Sequence, residues 1–336
     1  YMNTPIIIAV DAMGGDNSPD KVIEGISLHS KSSKHVSYKI FGNENLIKPL
    51  IVKYNLSPNR YKIFHSTNAV EGEDSALSAA KRGKDTSLWL AIESLKNDNA
   101  DAIVSAGNTG ALFLISKLNL KMIENIDKPA LSALWPSKQG MNVVLDLGAN
   151  IECNSKNLVD FSIMGSALLK ALFEKSNPKV ALLNIGSEEL KGNAMIKDTY
   201  QILTDNKYTL FDFFGYIEGN HIMDGDVNVI VADGFTGNIA LKTAEGTSNF
   251  IISELKKALS TSIVGKFSSF LNYYNLKNFK NKLDPRLYNG AILLGLDKPV
   301  IKSHGSTDAV GFANSLKVCE KTIRGRLIDQ IKQNIS

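Results

Sequence analysis

Eleven short apolar runs punctuate the chain, most of them stopping at Gly, Asp, Ser or His, with helix-like stretches between them. They cover residues 6–11, 38–42, 61–65, 102–105, 131–135, 143–146, 180–185, 210–215, 227–233, 291–296 and 300–304. Several are apolar at consecutive positions, the mark of strands covered on both faces. Residues 158–174 show the other period, with Phe161, Met164, Leu168, Leu169 and Leu172 at helical spacing. Strands alternating with helices predict an α/β fold around a largely parallel sheet. With 336 residues and no repeat or linker, the expectation is one α/β unit or two discontinuous lobes.

Composition narrows the function classes. A net charge of +4 gives no argument for a nucleic-acid partner. No apolar run is long enough to span a membrane. The first residues lack a basic region followed by an apolar one, so a secretory signal is not expected. Cys153 and Cys319 stand far apart and form no metal pattern, which suits a reducing cytoplasm.

In an open α/β sheet, ligands bind where strands end. The first run ends in D-A-M-G-G-D from Asp11, where Gly14 and Gly15 permit a sharp turn and a close approach of backbone to ligand. The fourth run leads into Ser105-Ala106-Gly107-Asn108-Thr109-Gly110 and an apolar helix. A helix start of that kind offers free N–H groups to an anion, although plain capping by Asn108 or Thr109 fits too. The device recurs at Asp233-Gly234-Phe235-Thr236-Gly237-Asn238, before a helix that carries Lys242 and Glu245. Two further junctions end in Asn150 and in Lys191-Gly192-Asn193. Lys191 reads equally as a surface charge and as a functional group. His304 is the only histidine at a strand end followed by glycine.

The sequence contains no G-x-x-x-x-G-K-[ST], G-x-G-x-x-G, H-E-x-x-H, C-x-x-C or G-x-S-x-G. A nucleotide-binding loop and a serine nucleophile elbow are therefore not expected. Cys153 is a possible nucleophile, but a buried structural cysteine is the commoner case.

Residues 250–282 differ from the rest. Ile252, Leu255, Leu259, Ile263, Phe267, Phe270 and Tyr274 recur every three or four residues, one helical face. Between residues 251 and 302, Lys and Arg outnumber Asp and Glu nine to three. Ser260-Thr261-Ser262 and Gly265 predict a break, giving an amphipathic helical hairpin with Ile263 and Val264 at its tip.

Taken together, these stretches resemble the bacterial phosphate acyltransferases, which make acyl phosphate from acyl-acyl carrier protein. The residues that carry the resemblance are D-A-M-G-G-D from Asp11, S-A-G-N-T-G-A from Ser105, L-D-L-G-A-N from Leu145 and L-L-N-I-G from Leu182. K-G-N from Lys191, A-D-G-F-T-G-N from Ala232, L-D-P-R-L-Y from Leu283, G-A-I-L-L-G-L from Gly290 and K-S-H-G from Lys302 complete it. The pattern is also similar to phosphotransacetylases, which implies the fold they share with isopropylmalate dehydrogenases.

The resemblance implies phosphate and acyl carrier protein as substrates, a homodimer, no cofactor and no metal. It further implies product handed to the next acyltransferase of phospholipid synthesis. The apolar face and positive charge of residues 250–282 predict contact with an anionic membrane surface through Ile263, Val264 and Phe267, with a helix pair packed at a dimer interface as the other reading. Asp11, Gly14, Gly15, Asp16, Ser105, Asn108, Thr109, Gly110, Asn150, Thr236, Gly237 and Lys242 are the expected substrate-binding residues. Lys191 would offset phosphate charge, Asn238 or His304 would serve the oxyanion or leaving thiolate, and Asp233 would orient them. A phosphotransacetylase acting on short acyl-CoA is the nearest alternative, and a non-catalytic module for acyl carrier protein or membrane is the alternative of another class. A hydroxyacid dehydrogenase would need an aspartate cluster for a cation and a nicotinamide site, and neither is evident.

Overall fold

The computed structural model describes residues 4–173, 177–282 and 290–335. The L-D-P-R-L-Y stretch from Leu283 lies outside the described residues, as does the side chain of Ile263.

The strands are β1 (Ile6–Asp11), β2 (Val36–Gly42), β3 (Tyr61–His65), β4 (Ala102–Ser105), β5 (Ala130–Ser137), β6 (Gly140–Leu145), β7 (Lys179–Asn184), β8 (Asp212–Glu218), β9 (Val229–Val231), β10 (Ala291–Leu294) and β11 (Val300–Lys302). They form one sheet in the order β3-β2-β1-β4-β11-β10-β5-β6-β9-β7-β8. The helices are α1 (Asp20–Ser32), α2 (Glu44–Lys53), α3 (Ala76–Arg82), α4 (Ser87–Lys96), α5 (Thr109–Asn119) and α6 (Ser155–Phe173). They continue as α7 (Ala194–Asp205), α8 (Gly234–Ser260), α9 (Ile263–Leu271), α10 (Tyr273–Lys282), α11 (Ala309–Arg324) and α12 (Leu327–Asn334).

Alternate strand residues feed two faces. Ile8, Val10, Val104, Leu145, Val231 and Ile301 pack with α1, α6, α11 and α12. On the other face Ala9, Ile103 and Val300 meet α4 and α5, while Val144, Ala181 and Ile230 meet the start of α8. Helix starts follow local chemistry. Asn108 Oδ1 accepts from Ala111 N at 2.9 Å, Asp233 Oδ1 from Thr236 N at 2.9 Å and Asp308 Oδ1 from Gly311 N at 3.0 Å.

The expected α/β class with a mostly parallel sheet is what forms. The centre departs from it. β10 runs antiparallel to both β11 and β5, and β5 runs antiparallel to β6. Consequently β6, β7, β8 and β9 run opposite to β1, β2, β3, β4 and β11. The eighth run also shifts: the strand is Asp212–Glu218, because Leu210 and Phe211 bury ahead of it as loop residues.

The 27-residue α8 leaves the body of the protein beyond Ala244. From Glu245 to Phe279 no described side chain is buried; Leu259, Ser268 and Leu276 are half-buried. The break falls at Thr261 and Ser262, as the sequence predicts.

Candidate active site

β1, β4 and β11 are neighbours that run the same way, so their carboxyl ends share one edge. The three loops that follow interlock. A β-carbon on Gly14 would stand 2.6 Å from Gly107 Cα, and one on Gly15, whose φ is +87°, would stand 2.7 Å from Ala106 O. Only glycine allows that approach. Asp16 N donates to Gly305 O and Ser303 N to Ser105 O, each at 2.9 Å.

Charge gathers where these loops meet. Asp11 is 2 % exposed and accepts from Ser87 Oγ at 2.7 Å, Ser105 Oγ at 2.8 Å and Met13 N at 3.3 Å. Burial raises its pKa, and those hydrogen bonds together with Lys302 offset only part of the rise. Lys21, on the first turn of α1, is 4 % exposed and donates to Gly305 O. Burial lowers its pKa against the pull of Asp16 and Asp308. Lys302 donates to Ser303 O and, at 3.4 Å, to Ala106 O. Burial, then Lys21, pushes its pKa down to about 8, with Asp11 opposing.

His304 follows at the exposed rim, with Nδ1 accepting from Ser306 N at 3.3 Å and 2.9 Å from Ser306 Oγ. What burial its ring has lowers its pKa first. Lys302, Lys242 and Lys21 lower it further, and Glu245 opposes. Lys242 and Glu245 of α8, ion-paired at 2.8 Å, are near enough to act on this histidine. Three lysines and a histidine therefore surround one edge, an arrangement able to hold an anion and sensitive to pH.

The expected site residues divide between two edges. Asp11, Gly14, Gly15, Asp16, Ser105, Asn108, Thr109, Gly110 and His304 lie at the β1–β4–β11 edge, and Lys242 reaches it along α8. Asn108 is spent on structure, since its Nδ2 donates to Gly72 O and Asp74 O while its Oδ1 caps α5. Asn150, Lys191, Asp233, Thr236 and Gly237 lie at the opposite edge, where β6, β7 and β9 end. There Asp146 accepts from Leu131 N, Gly148 N, Ala149 N, Asn150 N and Asn150 Nδ2, clamping its own loop. Asp233 caps α8, accepting from Thr236 N and Thr236 Oγ1, and Asn238 donates to Leu147 O at 3.1 Å. Lys191 is exposed. Asn238 and Lys242 stand one turn apart on α8, whose 27 residues extend about 40 Å from the end of β9.

Sequence reasoning passed over Lys21, Ser87 and Lys302. The available signal was a cation closing the otherwise apolar β11, V-I-K, because a lysine drawn half into the core needs a reason. Among the described residues no group of three His, Cys, Asp or Glu is placed to hold a metal ion.

Comparison with known proteins agrees with this frame. The sequence matches the family described as "Fatty acid synthesis protein" over residues 6–329. It is 64% identical to the phosphate acyltransferase of Pelagibacter ubique (strain HTCC1062), over 99% of this chain and 100% of that one. It is 42% identical to that of Rhodospirillum rubrum, over 100% and 96%. Among solved structures, a Streptococcus pyogenes phosphotransacetylase superimposes with a TM-score of 0.64 at 15% identity, covering 98% of this chain and 96% of the other. The Staphylococcus aureus EutD phosphotransacetylase does so at 0.62 and 14%, covering 95% and 94%. At those identities the likeness shows the fold alone. The relatives in sequence, matched end to end, settle descent: the chain belongs to the fatty acid synthesis protein family, among its phosphate acyltransferases.

Proposed function

We propose that this protein transfers a long-chain acyl group from acyl carrier protein to inorganic phosphate, giving acyl phosphate for phospholipid synthesis. The observation that carries the reading is the cluster of Lys21, Lys242, Lys302 and His304 at the interlocked β1–β4–β11 edge, in a chain of this family. Phosphate is already a nucleophile, so the work of the protein is to hold it near the thioester carbon and to stabilise charge. The N–H groups of Thr109 and Gly110 at the start of α5 add to the anion site beside the lysines. Lys191 keeps its charge-offsetting role only if another chain or a motion carries it to the cluster. Asn238, whose amide donates to Leu147 O, and Asp233, which caps α8, stand at the same far edge as Lys191, so their proposed oxyanion and orienting roles carry the same condition. Cys153 fits poorly as an acyl-enzyme nucleophile, because burial and Asp146 push its thiol up to about 11.

The remaining parts of the reading concern residues 250–282. Val264 and Phe270, each 77% exposed, and Phe267, 63% exposed, form an uncovered apolar surface beside lysines. The segment suits reversible attachment of a cytoplasmic enzyme to anionic lipid, with its base joining a homodimer. Product would then reach the next acyltransferase at the bilayer. The deciding assay mixes acyl-acyl carrier protein, phosphate and hydroxylamine. Acyl hydroxamate that forms only when phosphate and enzyme are both present supports the reading, and its absence refutes it. Equal turnover of short acyl-CoA would favour a phosphotransacetylase.

A further inference from the structure

We propose that Lys302 is the proton relay of the acyl transfer, giving its ammonium proton to the departing thiolate and regaining one from the newly acylated phosphate. The proposal rests on the reading of the chain as a transferase from acyl carrier protein to phosphate.

The stoichiometry creates the need. A thioester and monohydrogen phosphate become an acyl phosphate dianion and a free thiol. One proton therefore leaves a phosphate oxygen and arrives on sulfur. A phosphate oxygen bonds to the carbonyl carbon, the carbon–sulfur bond breaks, and the electron pair departs on sulfur. Lys302 protonates that sulfur and becomes a neutral amine. The acylated phosphate still bears its hydroxyl proton and passes it to the amine. Charge and protons return to their starting places with no outside acid.

The geometry suits one group for this exchange. Lys302 ends β11 inside the interlocked loops, whereas His304 stands at the exposed rim. An ammonium has three donors. Lys302 spends two on Ser303 O and Ala106 O, and the third meets no acceptor among the described residues. The charged groups acting on it are Lys21 from α1 and Asp11 from β1; Asp16 and Asp308 act in turn on Lys21, and Lys242 and Glu245 from α8 on His304, two residues along. Burial and then Lys21 make its proton easier to release, and Asp11 keeps the ammonium form available.

A relay works best when its proton affinity lies between those of donor and acceptor. A phosphate monoester gives up its second proton near about 6, and a thiol near about 8.5. Lys302, at about 8, stands between them. His304 is held below its ordinary value, first by burial and then by Lys302, so at pH 7 it is mostly uncharged and has little proton to give.

The experiment compares wild type with Lys302→Arg, which keeps the charge but holds its proton, and Lys302→Met, which keeps neither. Two donors are used with inorganic phosphate: acyl-acyl carrier protein, and the acyl thioester of an acidic aromatic thiol, whose thiolate leaves without a proton. Lys302→Arg should lower kcat with acyl-acyl carrier protein by ~100-fold or more, the usual scale for a lost acid–base group, while the phosphate KM changes only a few-fold. With the aromatic donor the loss should shrink to less than tenfold. Lys302→Met should also raise the phosphate KM. The ratio between donors on one preparation does not depend on how much of a variant is folded.

With acyl-acyl carrier protein alone, wild-type kcat should fall as pH rises through about 8, and that limb should vanish in Lys302→Arg. Equal losses with both donors, normal turnover in Lys302→Arg, or a persisting alkaline limb would each overturn the relay. A wild-type protein that forms no acyl phosphate would sink the functional reading and the relay with it. An active wild type with any of the contrary variant results sinks the relay alone.

Discussion

Gly237 lies so close to Asp146 that a β-carbon on it would stand 1.8 Å from the Asp146 carbonyl oxygen. The contact seats the first turn of α8 on the loop that Asp146 clamps. Gly237→Ala must push helix and loop apart, at a cost of ~1–3 kcal/mol or more. In urea the unfolding midpoint should drop with the slope unchanged. An unshifted midpoint would mean that the loop yields freely.

Asp11 organises the other edge. Asp11→Asn replaces one acceptor by an amide N–H₂ facing the hydroxyls of Ser87 and Ser105. A mispaired buried group costs ~1–3 kcal/mol. We expect reduced stability together with at least a tenfold rise in the phosphate KM, because Lys302 loses its counter-charge. Stability lost with an unchanged phosphate KM would confine Asp11 to folding.

Acid sensitivity should trace to Glu320. Burial works against its charge, but hydrogen bonds from His29, Ser33 and Arg324 outweigh it and bring the carboxyl from 4.5 down to about 2. A carboxyl depressed in the folded state adds stability above its unfolded value and loses it as pH falls toward the folded one. The contribution is therefore complete above about 4.5 and drains away between there and about 2. Thermal melts of Glu320→Gln should be flatter than wild type across that window. Parallel curves would remove Glu320 from the acid response.

Vesicle binding should depend on the apolar surface of α9. Val264→Asp with Phe267→Asp is expected to abolish flotation with phosphatidylserine vesicles. Turnover of soluble acyl-acyl carrier protein should remain. Exposed Lys256, Lys257 and Lys277 add ~1 kcal/mol each near anionic lipid, so 0.5 M-scale salt should weaken wild-type binding. A double variant that floats normally but is monomeric would assign the surface to subunit contact.

The strand positions were readable because burial on both faces leaves an apolar run with a polar stop. Residues 6–11, 61–65 and 102–105 coincide with β1, β3 and β4. Direction was not readable. Leu131 and Ile292 look alike whether their neighbours run parallel or antiparallel, so nothing announced that β5 and β10 reverse the sheet. That reversal is why Lys191 and His304, both at strand ends, face opposite edges. Lys21 escaped notice for another reason. Its partner Gly305 is 284 residues away, and within α1 it looks like any surface lysine beside Val22 and Ile23. Local pattern reports which face is covered, while the chemistry here comes from loops that meet only through the sheet.

The length of α8 gives the molecule a mechanical arm. Its fulcrum is the packed stretch of Ala240, Leu241 and Ala244, and its end at Ser260 lies some 24 Å beyond Ala244 at 1.5 Å per residue. Lys242 lies within that packed stretch and Ser260 sixteen residues beyond it, so a swing at the tip leaves Lys242 nearly still. A displacement of the tip is taken up in the exposed turns beyond Ala244, and Lys242 holds its place near His304. The far end of this helix is free to swing while the charges at its root stand still.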